Sequence, residues 1–173
     1  MKVTDSKHFY SYLAGVIDSD GSISVLKRHQ KRTTPTFTVT LQLTWKKTKN
    51  SEFFLKFLKA KYGGTIFVQK YRVTSYGKIS TTLKYSCTAR KVEVLLKDIE
   101  PYIFLKTKQI KLALELLKTT KFGVYGNGRP KPKRLFKKHE NICNKVRLLN
   151  NKNSGFGRSK IDKKEYKNAI NKN

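Results

Sequence analysis

Residues 12–21 read Tyr12-Leu13-Ala14-Gly15-Val16-Ile17-Asp18-Ser19-Asp20-Gly21, and the reading of the whole chain works outward from them. Phe9, Tyr12, Leu13 and Val16 recur at helical spacing, which predicts a helix from Lys7 to about Ile17 with Ser6 as its N-cap. Gly21 ends that element. Gly15 lies one turn from Ser11 and from Asp18 and Ser19, so one face of the helix is built from small side chains. Small side chains at a contact let two helix backbones approach closely. A small patch on a helix is common by chance, but this one leads straight into two acids at the helix end. Two such helices side by side would bring two Asp20 carboxylates to a shared axis. Paired carboxylates with divalent ions suit phosphodiester hydrolysis. The metals lower the pKa of a bound water and stabilise the attacking and leaving oxygens, typically about 3.5–4 Å apart in two-metal sites. Oxygen-only ligands match Mg²⁺ in hardness.

Beyond Gly21, Ser22 to about Gln30 reads as a strand, and Lys31-Arg32-Thr33-Thr34-Pro35 as a basic turn. Phe37 to Trp45 is a clearer strand: Phe37, Val39, Leu41 and Leu43 alternate with Thr38, Thr40, Gln42 and Thr44. Residues 51–62 return to helical period, with Ser51 or Asn50 as cap and Gly63-Gly64 as stop. Strands over about Thr65–Thr74 and Ser80–Cys87 follow, joined by a turn at Ser75-Tyr76-Gly77. Helices over about Arg90–Ile99 and Thr107–Lys118 flank Pro101. The expected order is helix, two strands, helix, two strands, helix, helix. Residues 1–118 form this core. Residues 119–173 read as an extension: an exposed basic loop to about Lys138, a short helix near 138–150, and a Lys/Asn-rich tail.

Composition narrows the class of partner. The chain has 173 residues with 39 Lys or Arg against 11 Asp or Glu, a formal net charge of +28. Such an excess repels itself unless a polyanion neutralises it, and cations on phosphates give strong, salt-dependent affinity. Charge alone does not separate a passive ribosomal or chromatin-type binder from an enzyme. No apolar run reaches the roughly 20 residues of a membrane span, and the N-terminus lacks a signal-peptide core. An intracellular, soluble protein is expected, in the cytoplasm, nucleoid or an organelle matrix. Its two cysteines, Cys87 and Cys143, are too few for a disulfide framework and read as passive thiols.

The segment Leu13–Gly21 resembles the signature of the LAGLIDADG homing endonucleases in seven of nine letters, with Val16 for Leu and Ser19 for Ala as mild departures. A match of that length with both acids and both glycines is far more specific than a lone GxGxxG. The order of elements is similar to that family's αββαββα core, an α+β fold, over roughly residues 6–118. Leu105-Lys106-Thr107-Lys108-Gln109 is a weaker echo of a Leu-x-x-Lys-Gln segment that opens the last core helix in members. The resemblance implies a divalent-metal site, Mg²⁺ or Mn²⁺, at Asp20 with the backbone carbonyl of Ser19 beside it. It implies a structural role for Asp18 at the helix end, and a phosphate-facing Lys108 that stabilises developing negative charge. A water-ordering polar residue from the second strand is also implied, and Gln42, Lys46 or Lys47 can each serve, because Trp45-Lys46-Lys47 blurs the match.

The family's sheet has one face on helices and leaves the other free. Period 2 puts Ser24, Leu26, Arg28 and Gln30 outward in the first strand and Thr38, Thr40, Gln42 and Thr44 in the second. Thr65, Phe67, Gln69 and Tyr71 face outward in the third, and Thr82, Lys84 and Ser86 in the fourth. This set suits base edges and phosphates in a major groove, with Arg32, Arg129, Lys131 and Lys133 extending the phosphate contacts. The same face fits an ordinary solvated sheet or, through its aromatics, single-stranded stacking.

The motif occurs once, whereas one active centre needs two acids. The resemblance therefore implies a homodimer joined through Ser11, Tyr12, Ala14, Gly15 and Asp18, with a pseudo-palindromic double-stranded DNA target. The expected function is an intron-encoded, site-specific DNA endonuclease acting with Mg²⁺. The alternative is a binder of the same fold that does not cleave: an RNA-binding intron maturase or a DNA-binding regulator.

Overall fold

The computed structural model describes residues 6–28, 35–72, 79–120 and 132–153. They form α1 Ser6–Asp20, β1 Gly21–Arg28, β2 Thr36–Lys46, α2 Lys49–Tyr62, β3 Thr65–Arg72, β4 Ile79–Thr88 and α3 Ala89–Ile99. A 3-10 turn at Glu100–Tyr102 then leads to α4 Thr107–Thr119 and α5 Lys133–Asn153. The four strands make one antiparallel sheet in the order β1-β2-β4-β3. This is the expected order, an α+β, αββαββα core followed by α4, with a further long helix, α5.

The element boundaries have local causes. The first helix runs three residues beyond the expected Ile17, to Asp20, and gives way at once to β1. A Cβ on Gly21 would lie 2.6 Å from the Ile17 carbonyl oxygen and 2.8 Å from the Ile17 Cα, so only glycine lets the chain turn there. The cap of α2 is Thr48, neither Asn50 nor Ser51. Its side chain accepts from the Ser51 N–H, and the Ser51 hydroxyl closes the box on the Thr48 backbone N–H. Gly63 ends α2 at φ 72°, and its N–H donates to the Lys59 carbonyl.

The register sorts every strand residue onto one face. Val25, Ile23, Val39, Leu41, Leu43, Leu83, Tyr85 and Cys87 face the helices and are buried, together with Leu13 and Ile17 of α1, Leu96 of α3 and Leu116 of α4. Ser24–Thr40–Thr88, Thr65–Ser86–Gln42–Ser22 and Phe67–Lys84–Thr44 form cross-strand rows on the other face.

The expected loop to Lys138 and short helix near 138–150 are corrected. Lys133 to Asn153 form one 21-residue helix, and its residues Ile142 and Val146 are buried in the core shared with the sheet. Asn150 donates to the Ile23 carbonyl at 2.8 Å and the Cys143 thiol to the Val25 carbonyl at 3.1 Å, both on β1. Lys27 of β1 pairs with Glu140 of α5 at 2.5 Å. The expected turns at 31–34 and 75–77 and the tail beyond residue 153 lie outside the described residues. Among the described residues no helix is long and apolar enough to cross a membrane.

Candidate active site at the end of the first helix

The two acids of the motif, two residues apart, have opposite surroundings. The Asp18 carboxylate accepts three backbone N–H groups, from Phe104 at 2.7 Å, Leu105 at 3.0 Å and Lys106 at 2.9 Å. It therefore organises the turn that opens α4, which sharpens the expected structural role: the turn it holds lies 86 to 88 residues away in sequence, not at its own helix end. With both oxygens engaged inside the chain, Asp18 has little left to offer a partner copy.

Asp20 is exposed at the last position of α1. Its Oδ2 accepts a hydrogen bond from the Trp45 indole N–H at 2.8 Å, and its Oδ1 has no hydrogen-bond partner among the described residues. Ser19 beside it is exposed, and its hydroxyl donates back to the Val16 carbonyl. The donor atoms offered are all oxygen, a hard set that fits Mg²⁺ or Mn²⁺ and not a thiolate metal. Among the described residues no group of three or more His, Cys, Asp or Glu side chains could hold an ion.

Two residues near Asp20 were not marked by the sequence. Trp45 is one; Lys106 is the other. The Lys106 ammonium reaches the carbonyls of Ile17, at 2.7 Å, and Asp18, where a cation complements the negative end of the α1 dipole. Burial pushes its pKa below the ordinary lysine value, while the Asp18 and Asp20 carboxylates push it back up. Lys108, two residues on, is exposed on the first turn of α4, and Gln109 next to it is buried. Gln42 sits on the outward face opposite Ser22, and Lys46 and Lys47 are exposed at the end of β2. No local signal in the sequence could have found Trp45 or Lys106, because their contacts with the motif helix are set by the tertiary fold.

On the outward sheet face, Leu26, Arg28, Thr44, Thr65 and Phe67 are exposed, and Ser24, Thr38, Gln42, Gln69 and Lys84 are half-buried. Thr40 is corrected: it is only 2% exposed, in the middle of the sheet between Ser24 and Thr88, and is not open to a base edge. Tyr71 belongs to β3 by its backbone, and Lys133 is the exposed first residue of α5, not a loop residue. Gln30, Arg32, Arg129 and Lys131 lie outside the described residues.

On α1, Ser11, Tyr12 and Gly15 are exposed, and a Cβ placed on Gly15 would meet nothing within 4 Å. Ala14 is corrected: it is fully buried in the chain's own core and presents nothing to a partner. Its place one residue from Gly15 turns it by about 100° toward the sheet. Large apolar side chains stand exposed on neighbouring elements: Phe53 on α2 and Phe104 and Leu105 in the turn that Asp18 holds.

No family model matches this sequence and no curated protein matches it. Solved structures do match its fold. The homing endonuclease I-CvuI, in complex with its target in the presence of 2 mM Ca, aligns with a TM-score of 0.67 at 18% identity, over 95% of this chain and 94% of that one. The archaeal intron-encoded homing endonuclease I-Vdi141I, complexed with DNA, aligns at 0.60 with 20% identity over 96% of each chain. I-SmaMI, bound to uncleaved DNA target in the presence of calcium ions, aligns at 0.58 with 19% identity, over 86% of this chain but 46% of that one. I-GzeII, described as a LAGLIDADG homing endonuclease in complex with its DNA target, aligns at 0.57 over 78% of this chain and 43% of that one. The fold of this chain is that of the LAGLIDADG homing endonucleases.

Proposed function

We propose that the chain is a site-specific homing endonuclease whose homodimer makes a double-strand break in a long, pseudo-palindromic DNA target by divalent-metal-dependent hydrolysis. One observation carries the reading. Within a motif whose other acid is consumed by three backbone hydrogen bonds, Asp20 alone keeps its charge exposed and one oxygen open. A carboxylate left in that state has no structural task that an uncharged residue would not perform as well. When bound, Mg²⁺ or Mn²⁺ would activate a water and stabilise the charge on the oxygens of the scissile phosphate.

The chain's own residues supply the rest. Asp20 and the Ser19 carbonyl hold the ion. Gln42 opposite Ser22, with Lys46 and Lys47 beyond it, lies close enough in register to order solvent beside the acid. Lys106 and Lys108 bring positive charge to the same end of the molecule, Lys106 against α1 itself. Leu26, Arg28, Thr38, Gln42, Thr44, Phe67 and Lys84 present polar and apolar groups to the groove, and the excess of positive charge neutralises phosphates.

Dimerisation follows from the single acid. Ser11, Gly15 and Ser19 leave α1 open to close approach, and exposed Tyr12 on the same helix and exposed Phe104 and Leu105 in the turn bound by Asp18 add apolar surface. Apolar side chains gathered beside an unfilled helix face mark an interface more often than bare surface. The matched fold fills nearly all of I-CvuI and under half of I-SmaMI, so the unit occurs both as a whole chain and as part of a longer one. Two units completing one site agrees with both.

The test is cleavage of a randomised DNA library in Mg²⁺ and then in Ca²⁺, with the cut ends sequenced. Paired cuts within one pseudo-palindromic sequence support the proposal. Tight binding of intron RNA with no DNA cut would hand the chain to the maturase reading.

A further inference from the structure

We propose that Trp45 is a positioning residue for Asp20: its indole N–H fixes one carboxylate oxygen and leaves the other free to hold a divalent cation. The inference rests on the metal-dependent reading above. The indole N–H donates to Asp20 Oδ2 at 2.8 Å across 25 residues of sequence. The ring is itself held, because Phe54 of α2 packs on it at 5.3 Å between centroids, and Tyr12 of α1 meets Phe54 edge-on at 5.7 Å. Three aromatic rings therefore tie the end of β2, α2 and the motif helix to a single carboxylate.

The chemistry of the donor is what makes this a positioning device. An exposed aspartate at a helix end otherwise samples its rotamers freely, and binding an ion then has to order it. A lysine or arginine in place of Trp45 would order it too, but would cancel the charge that attracts the cation. The indole N–H is a donor only, uncharged at every accessible pH, so it orders the carboxylate and leaves its charge intact. It engages Oδ2 alone, which leaves Oδ1 for the metal. Metal-binding carboxylates are commonly held by such outer hydrogen bonds, and losing one typically costs about 10–100-fold in metal affinity or activity.

The chain contains one tryptophan, so its indole N–H gives a single resonance in a ¹H–¹⁵N spectrum. In the full-length protein, Asp20→Ala should shift that resonance and speed its exchange with solvent. In the complex with a duplex recovered from the library selection, Mn²⁺ should broaden the resonance in the wild type and not in Asp20→Ala. Trp45→Phe keeps an aromatic ring against Phe54 but removes the donor. It should weaken Mn²⁺ binding, followed by the electron paramagnetic resonance signal of the free ion, by about tenfold with little change in DNA affinity. An indole resonance unmoved by Asp20→Ala would overturn the hydrogen bond and the proposal with it. Trp45→Phe binding Mn²⁺ like the wild type, while Asp20→Ala binds none, would overturn the positioning role and leave the nuclease reading standing. Mn²⁺ held equally by wild type and Asp20→Ala would overturn Asp20 as a ligand, and a library with no cleaved duplex would overturn the nuclease reading itself.

Discussion

The two sides of α1 obey different demands although they share fifteen residues. On one side Leu13, Ala14 and Ile17 are fully buried, while Asp18, at the edge of the other, is bound into the turn before α4. On the other, Ser11, Gly15 and Ser19 are exposed, a Cβ on Gly15 would meet nothing within 4 Å among the described residues, and Asp20 is exposed where the helix ends. The buried side is explained by the stability of one chain. The open side is not: small residues and an exposed acid add nothing to the core, and it is there that the proposed dimer and ion would sit.

If that division is real, substitutions on the two sides must fail in different ways. The largest effect belongs to Asp20→Asn. Removing its charge should lower the single-turnover cleavage rate by at least about 100-fold, because the metal's contribution is worth several kcal/mol. DNA affinity in a gel-shift titration should be unchanged or slightly higher, and the unfolding midpoint should stay in place. Cleavage at the wild-type rate would break the comparison at its centre. Next comes Gly15→Leu. A Cβ there meets nothing within 4 Å among the described residues and the position is exposed, so the monomer should fold normally, yet sedimentation should report dissociation, since the bulk forces two helix backbones apart. A Gly15→Leu dimer as tight as wild type would show that the open side faces solvent.

Asp18→Asn should show the opposite pattern. Asparagine retains one acceptor oxygen for three donors, a loss of about 2 kcal/mol of stability, seen as a drop of about 5 °C in Tm. Cleavage per folded molecule should change far less than with Asp20→Asn. Ser11→Ala is the smallest and sharpens the picture as a control. The Ser11 hydroxyl only bonds back to the Lys7 carbonyl, so stability should move by no more than about 0.5 kcal/mol. The dimer should persist, because alanine keeps that face small.

The same division sets what could be read from the sequence. Period and glycine placement gave the helices and strands to within a few residues, since Phe37, Val39, Leu41 and Leu43 and the stop at Gly21 are local signals. The motif placed Asp20 at the end of its helix, as found. Three things were beyond local reading. Thr40 alternates like an outward residue but is buried, because strands on both sides flank it and exposure depends on the finished sheet. Trp45 and Lys106 join the site through contacts across 25 and 89 residues. The start of α5 was hidden by composition. Pro130, Pro132 and a run of basic residues look like a loop, although Phe136, His139, Ile142, Cys143 and Val146 keep a helical stripe that faces the core.

That last helix has a consequence for how the sheet behaves in company. β1 pairs with β2 on one side only, so its other side would present free backbone groups to any passing strand. Asn150 and Cys143 occupy the Ile23 and Val25 carbonyls on that side. A lone pair of strands with an unguarded rim is a template for strand addition and fibre growth. The polar-looking helix α5 thus works as a selvedge, finishing the woven border of β1 so that no strand adds along that edge. A chain cut after Thr119 would keep the motif and its acid, yet would be expected to self-associate through β1 and leave solution.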